Sequence, residues 1–172
     1  MKNLIIIPSR LESSRLPNKP LADINGEPMI VHVFNRAREA NIANVIVAAG
    51  NIEIKEAIEN VGGEAILTNP DHASGSDRIY EALTIYDKDF SYDNVINLQG
   101  DLPNIQKHAL TKIVSLLDSG NSDISTLGVK ISSDQEILNP NIVKAYVKNL
   151  SDNNIIDAVS YTHLTLPTNT VV

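Results

Sequence analysis

Leu4–Ile7 reads Leu-Ile-Ile-Ile, with no polar residue between. Successive side chains of a strand point to opposite faces, so such a run needs apolar cover on both sides. A parallel sheet sandwiched between helices meets that need. Shorter apolar runs recur at Val45–Ala48, Ala65–Leu67 and Val95–Leu98. Between them, Pro28–Ala40, Glu53–Val61, Ser76–Tyr86 and His108–Leu117 carry apolar residues at helical spacing. Pro28 suits a first helical turn, and Gly62-Gly63 closes the second helix. Ile124–Val129 and Val143–Val147 predict two later strands. Repeated βα units predict an α/β layer fold with a mostly parallel sheet. Ligands of such sheets bind beyond the carboxyl ends of the strands. The loops after Ile7, Ala48, Leu67 and Leu98 are therefore the places where chemistry is expected.

The 172 residues suffice for one domain with a real core. A formal net charge of −7 argues against a nucleic-acid partner, which needs a broad basic face. The absence of cysteine excludes disulfides, thiolate zinc sites and cysteine nucleophiles. No apolar run approaches the roughly 20 residues of a membrane helix. The apolar run in MKNLIIIPSR is shorter than a signal-peptide core of roughly 7–15 residues. These features predict a cytoplasmic protein without membrane insertion.

In an acidic chain, the first loop is unexpectedly basic. PSRLESSRLPNKP, from Pro8 to Pro20, sets Arg10, Arg15 and Lys19 against Glu12 and holds no glycine. Arginine forks and a lysine point charge suit a phosphate, and Ser9, Ser13 and Ser14 could complete a cradle. Without glycines it is neither a dinucleotide fingerprint nor a Walker loop. Charge alone reads equally well as a solvated surface; placement after a buried strand favours an anion site. In TNPDHASGSDRIYEAL, Ser74 and Asp77 form a capping-box pattern. A helix N-terminus also receives anions, and Gly75 would let a ligand approach the backbone. His72 by itself reads as a surface residue. In NLQGDLPN, Asp101 follows a strand, where a carboxylate can hold Mg²⁺. Gln99 can donate and accept, and Gly100 permits a tight turn. Taken alone, Gly100-Asp101 reads more readily as a turn than as a metal site.

Together, four segments resemble the 3-deoxy-manno-octulosonate (Kdo) cytidylyltransferase family. They are IIIPSRLESSRLPNKPLADINGEPMIVHVFNRA, NPDHASGSDRIYEAL, NLQGDLP and NPNIVK, in family order from Leu4 to about Lys148. The resemblance implies a three-layer α/β/α fold of the nucleotide-diphosphosugar transferase type. It also implies CTP and Kdo as substrates, CMP-Kdo and pyrophosphate as products, Mg²⁺ as cofactor, a role in lipopolysaccharide synthesis and a homodimer. Arg10 and Lys19 match positions that contact the CTP phosphates, and Arg15 a further basic position. Pro8, Ser9, Ser74 and Gly75 match positions around the cytidine. Gln99 matches a residue at the reaction centre and Asp101 a metal ligand. Arg10, Lys19, Gln99 and Asp101 are thus the implied catalytic set.

Two departures stand out. Where the family reads VATD, this chain reads VAAG, with Gly50 in place of an acid. Where the family reads QGDEP, Leu102 replaces a glutamate. Both bear on sugar-side or base-side contacts and on turnover. The family continues for roughly another third of its length, with a second metal aspartate, most sugar contacts and much of the dimer surface. The expectation is an N-terminal nucleotidyltransferase part over 1–158, inactive by itself. AVSYTHLTLPTNTVV has no acid, lysine or arginine and fits no family segment. It resembles read-through of an adapter or vector, so 159–172 is set aside as a non-native tail; a divergent C-terminal strand is the other reading. Two other functions fit the same residues: a CMP-sialic acid type or other sugar-nucleotide synthetase, and a non-catalytic CTP-binding module.

Overall fold

The computed structural model describes residues 1–12, 16–118, 123–147 and 158–163. The chain divides into two compact units, Met1–Ser125 and Thr126–Val172.

The first unit is built on four parallel strands: β1 (Asn3–Ser9), β4 (Asn44–Ala49), β5 (Glu64–Leu67) and β6 (Asn94–Asn97). Their order in the sheet is β5-β4-β1-β6. A small antiparallel pair, β2 (Asp23–Ile24) and β3 (Glu27–Pro28), precedes the first helix. The helices are α1 (Met29–Ala40), α2 (Ile52–Glu59), α3 (Gly75–Tyr86) and α4 (Lys107–Asp118). All four predicted helices and the four predicted sheet strands are present, with ends shifted by a few residues.

The unbroken apolar run is explained by the layers. Ile5 and Ile7 point into one core with Val47, Phe34 of α1, Ile54 and Ile58 of α2, and Leu110 of α4. Leu4 and Ile6 point into a second core with Ile46, Ala48, and Ile79 and Ala82 of α3. Crossovers between parallel strands are right-handed, so the covering helix changes face when the chain reverses direction across the sheet. The chain runs outward from β1 to β4 to β5 with α1 and α2 on one face. It then returns past β1 to β6 with α3 on the other. Both faces of β1 being covered, Ile5→Ala and Ile6→Ala are each expected to cost about 2–5 kcal/mol in urea unfolding. A near-neutral result for either would mean an open face.

In the second unit, α5 (Asp134–Leu138) is capped by Ser133, whose hydroxyl accepts the Glu136 amide. Strands β7 (Val143–Val147) and β8 (Ala158–His163) pair antiparallel. From its second residue on, β8 falls within the stretch 159–172 set aside from the sequence. Lys144 on β7 is fully buried and donates to the Asn139 carbonyl. The strand predicted at Ile124–Val129 does not form. Ile124 is 78% exposed and Val129 94%, and no strand pairs with the segment among the described residues. The apolar alternation there has no ladder to join, and Gly128 weakens its strand preference.

Candidate active site

The order β5-β4-β1-β6 reverses direction at β1, so the loops leaving β1 and β6 splay apart at their carboxyl ends. That switch point is where an open α/β sheet makes a crevice. A cleft of about 320 Å³ lies there. Pro8, Ser9 and Arg10 line it from the end of β1, and Lys19 and Pro20 from a short 3-10 helix, Lys19–Leu21. His72, Ala73, Ser74, Gly75 and Arg78 line it from the β5–α3 loop and α3, and Gln99, Gly100 and Asp101 from beyond β6. The site residues expected in the sequence thus come together, save Arg15. Arg15, with Ser13 and Ser14, lies outside the described residues. Among the described residues the cleft lining holds three cationic residues, Arg10, Lys19 and Arg78, and one carboxylate, Asp101, in a chain whose net charge is −7.

The loops are held by their neighbours. Asn51 accepts the Leu11 amide at 3.0 Å and donates to Glu12 at 3.2 Å, tethering the start of the basic loop. The Gly50 amide donates to the Ser9 carbonyl at 2.8 Å. A Cβ on Gly100 would stand 2.9 Å from the Pro8 carbonyl oxygen, so only glycine lets the β6 loop lie against β1. At Gly75 a Cβ would meet Pro8 at an ordinary 3.5 Å, so packing alone does not demand glycine there. Lys19 Nζ donates to Asp101 Oδ2 at 2.8 Å and closes the crevice mouth. Their side chains are 38% and 51% exposed, so this pair contributes about 0–1 kcal/mol and opens readily.

Ser74 and Asp77 form the predicted capping box: the Asp77 amide donates to Ser74 Oγ at 3.2 Å and the Ser74 amide to Asp77 Oδ2 at 3.1 Å. Ser74 Oγ itself donates to Asp77 at 2.7 Å, so its hydroxyl is engaged in the cap. Gln99 is exposed and donates to Asn97 at 2.8 Å. Ser9 Oγ is buried and has no hydrogen-bond partner among the described residues. A buried hydroxyl left unpaired costs about 1–3 kcal/mol.

Two residues carry more structure than the sequence reading gave them. His72 is half-buried rather than a free surface residue: its ring pairs with Glu81 of α3, and its carbonyl accepts Arg10 Nη1 at 3.3 Å. Arg78 is buried at 2% exposure. One signal pointed to it, since it shares the helical stripe of Ile79 and Ala82, where an apolar residue belongs. The His72 ring, and then the Asn69 amide, hold the Glu81 carboxyl below its ordinary 4.5. A carboxyl depressed by folding contributes stability above its unfolded value and loses it as pH falls through the folded one. Glu81→Gln is therefore expected to flatten the fall in melting temperature below pH 4.5, read by thermal melts at stepped pH. An unchanged acid limb would separate Glu81 from the stability of this loop.

The cytidylyltransferase family matches residues 4–157. The chain belongs to that family. Among cytidylyltransferases, the 3-deoxy-manno-octulosonate enzymes of Brucella ovis and Brucella anthropi are 47% and 46% identical to it over 167 residues, 97% of this chain. The chain spans 66% of the length of the former and 67% of the latter. A CMP:2-keto-3-deoxy-manno-octonic acid synthetase solved with CTP superimposes with a TM-score of 0.83 at 37% identity, over 98% of this chain and 67% of that one. The three-layer cytidylyltransferase fold expected from the resemblance is therefore present. A cytidylyltransferase from Leptospira borgpetersenii shares the fold, with a TM-score of 0.60 at 21% identity over 70% of this chain and 50% of that one.

Proposed function

We propose that this chain forms the nucleotide-binding part of a Kdo cytidylyltransferase, which transfers CMP from CTP to Kdo and releases pyrophosphate. The observation that carries the reading is the meeting of Arg10, Lys19 and Asp101 at the mouth of one switch-point cleft. The named relatives and the CTP-bound synthetase support it.

In this reading the cleft takes CTP with its triphosphate toward Arg10 and Lys19 and its cytidine toward Pro8, Ser9 and the Ser74-Gly75 turn. The anomeric oxygen of Kdo attacks the α-phosphorus in line. The bond from that phosphorus to the bridging oxygen breaks, pyrophosphate leaves with the electron pair, and the hydroxyl proton passes to solvent water. Charge on the departing phosphates grows beside Lys19 and Arg10, so catalysis is positioning plus charge neutralisation. Arg15 belongs to the same proposed phosphate set, and Gln99 to the reaction centre.

A divalent cation, Mg²⁺, fits the donors present in one respect: Asp101 offers an exposed, hard carboxylate oxygen at the cleft mouth. No cluster of three metal-ligating side chains exists among the described residues, so nucleotide oxygens and water would complete the shell. Held there by Asp101, such an ion would supply positive charge against the negative charge of the phosphates. Holding it through Asp101 would require Lys19 to exchange its carboxylate partner for a phosphate. No helix among the described residues is long and apolar enough to cross a membrane. A cytoplasmic enzyme of lipopolysaccharide synthesis, working as a homodimer, completes the proposal.

The test is a calorimetric titration with CTP, UTP, ATP and GTP in the presence of Mg²⁺. CTP is expected to bind most tightly. Equal affinity for ATP and CTP would overturn the assignment.

A further inference from the structure

α3 follows the loop it caps, and its first turn sends Arg78 back beneath that loop. Arg78 as a whole residue is 2% exposed. Nη1 donates to Thr68 Oγ1 at 2.6 Å and to the Asn69 carbonyl at 3.0 Å, and Nη2 donates to the Pro70 carbonyl at 3.0 Å. A rigid planar fork suits three acceptors so arranged, and lysine's single ammonium does not. All three acceptors are neutral, and no ion pair to Arg78 occurs among the described residues. The cation is held by oriented dipoles in place of water. Thr68 is anchored in turn, its amide and hydroxyl both donating to the Ala49 carbonyl at 2.8 and 3.0 Å.

The space for this arrangement comes from Gly50. A Cβ there would stand 2.6 Å from Arg78 Nη1 and 2.9 Å from Cζ, so any larger residue displaces the guanidinium. Two residues beyond Pro70, the same loop turns the His72 carbonyl toward Arg10, which donates to it at 3.3 Å. Glu81 fixes the loop a second time, accepting the Asn69 amide at 2.9 Å and pairing with His72.

We propose that Arg78 is a positioning residue: seated against Gly50, it locks the Thr68–Pro70 turn so that the His72 carbonyl holds Arg10 in the orientation that meets the triphosphate. The proposal rests on the cleft being a CTP site. It goes beyond that reading by giving the aim of a phosphate cation to a buried side chain of α3, and by giving Gly50 a role as its seat.

The experiment is a double-mutant cycle on the full chain, with CTP and Mg²⁺ titrated by calorimetry. Arg78→Lys and Gly50→Ala are each expected to weaken CTP binding by about tenfold, within the range of coupling between groups in one network. In an Arg10→Ala background, neither change should weaken it further. Equal losses in both backgrounds would make Arg78 a stabilising residue only, or a direct ligand contact, and overturn the proposal. Gly50→Ala keeps every Arg78 donor and serves where Arg78→Lys does not fold. A second readout needs no nucleotide: the NMR signal of the Arg10 guanidinium should move in either variant, and amide exchange at Asn69 and Asp71 should accelerate. Wild-type chain that binds no CTP would remove the nucleotide reading, and the Arg10 signal would then decide the linkage by itself. An unmoved Arg10 signal with unchanged exchange overturns it.

Discussion

Lys19→Ala is expected to weaken CTP binding by about tenfold to a hundredfold, since a charge-assisted hydrogen bond contributes about 1.5–3 kcal/mol and each 1.4 kcal/mol is about a factor of ten. Lys19 donates to Asp101 at 2.8 Å, so removing the carboxylate frees the lysine. Asp101→Asn should therefore bind CTP at least as tightly as the wild type when no divalent ion is present, and more weakly when Mg²⁺ is added. Asparagine keeps the shape but loses the charge that a hard cation needs. Titrations with and without Mg²⁺ decide the matter. Asp93 is a suitable control: its carboxylate accepts the Lys2 amide at 2.6 Å and does not line the cleft. If Asp101→Asn and Asp93→Asn behave alike at both metal concentrations, the proposed metal role is wrong. If Lys19→Ala binds CTP normally, the basic loop returns to a solvated surface.

The second large effect is expected at Gly100. A Cβ there would sit 2.9 Å from the Pro8 carbonyl oxygen and 3.3 Å from Ile30 Cδ1. The nearer of these atoms is backbone, near the end of β1 where Pro8 is paired with Ala48 of β4, and cannot swing away. Gly100→Ala should cost about 1–3 kcal/mol, as overpacking does. It should also push Gln99 and Asp101 outward, so nucleotide affinity falls by more than the stability loss alone produces in a folded sample. A melt and a CTP titration on the same preparation separate the two. Unchanged affinity in a destabilised protein would mean that the β6 loop packs against β1 without shaping the cleft.

Much of this protein is legible in one dimension. The Leu4–Ile7 run announces a strand covered on both faces, and the two cores on its opposite sides are that cover. The helical spacing and the Ser74–Asp77 cap are local signals, set by side chains within one turn of each other, and they survive folding intact. The loops that carry Arg10, Lys19, Ser74, Gln99 and Asp101 are predictable because strand ends in a parallel sheet all face one edge. Ile124–Val129 shows the limit: its alternation favours a strand, but a strand exists only where another offers a ladder, and that partner is not written in the segment.

What the sequence determined by itself is therefore the layer fold and the edge at which chemistry gathers, because both follow from local periodicity and from the geometry of βα units. Which loops meet was decided by the tertiary structure. The order β5-β4-β1-β6 opens the crevice between the ends of β1 and β6, and sets Lys19 against Asp101 across 82 residues of chain. The buried seat of Arg78 was decided there too. Its acceptors on the Thr68–Pro70 turn lie 8 to 10 residues away in the chain, and the Gly50 hollow lies on another strand's end. A guanidinium becomes a buried clamp only when those surfaces close around it, and no pattern within its own helix specifies that closure.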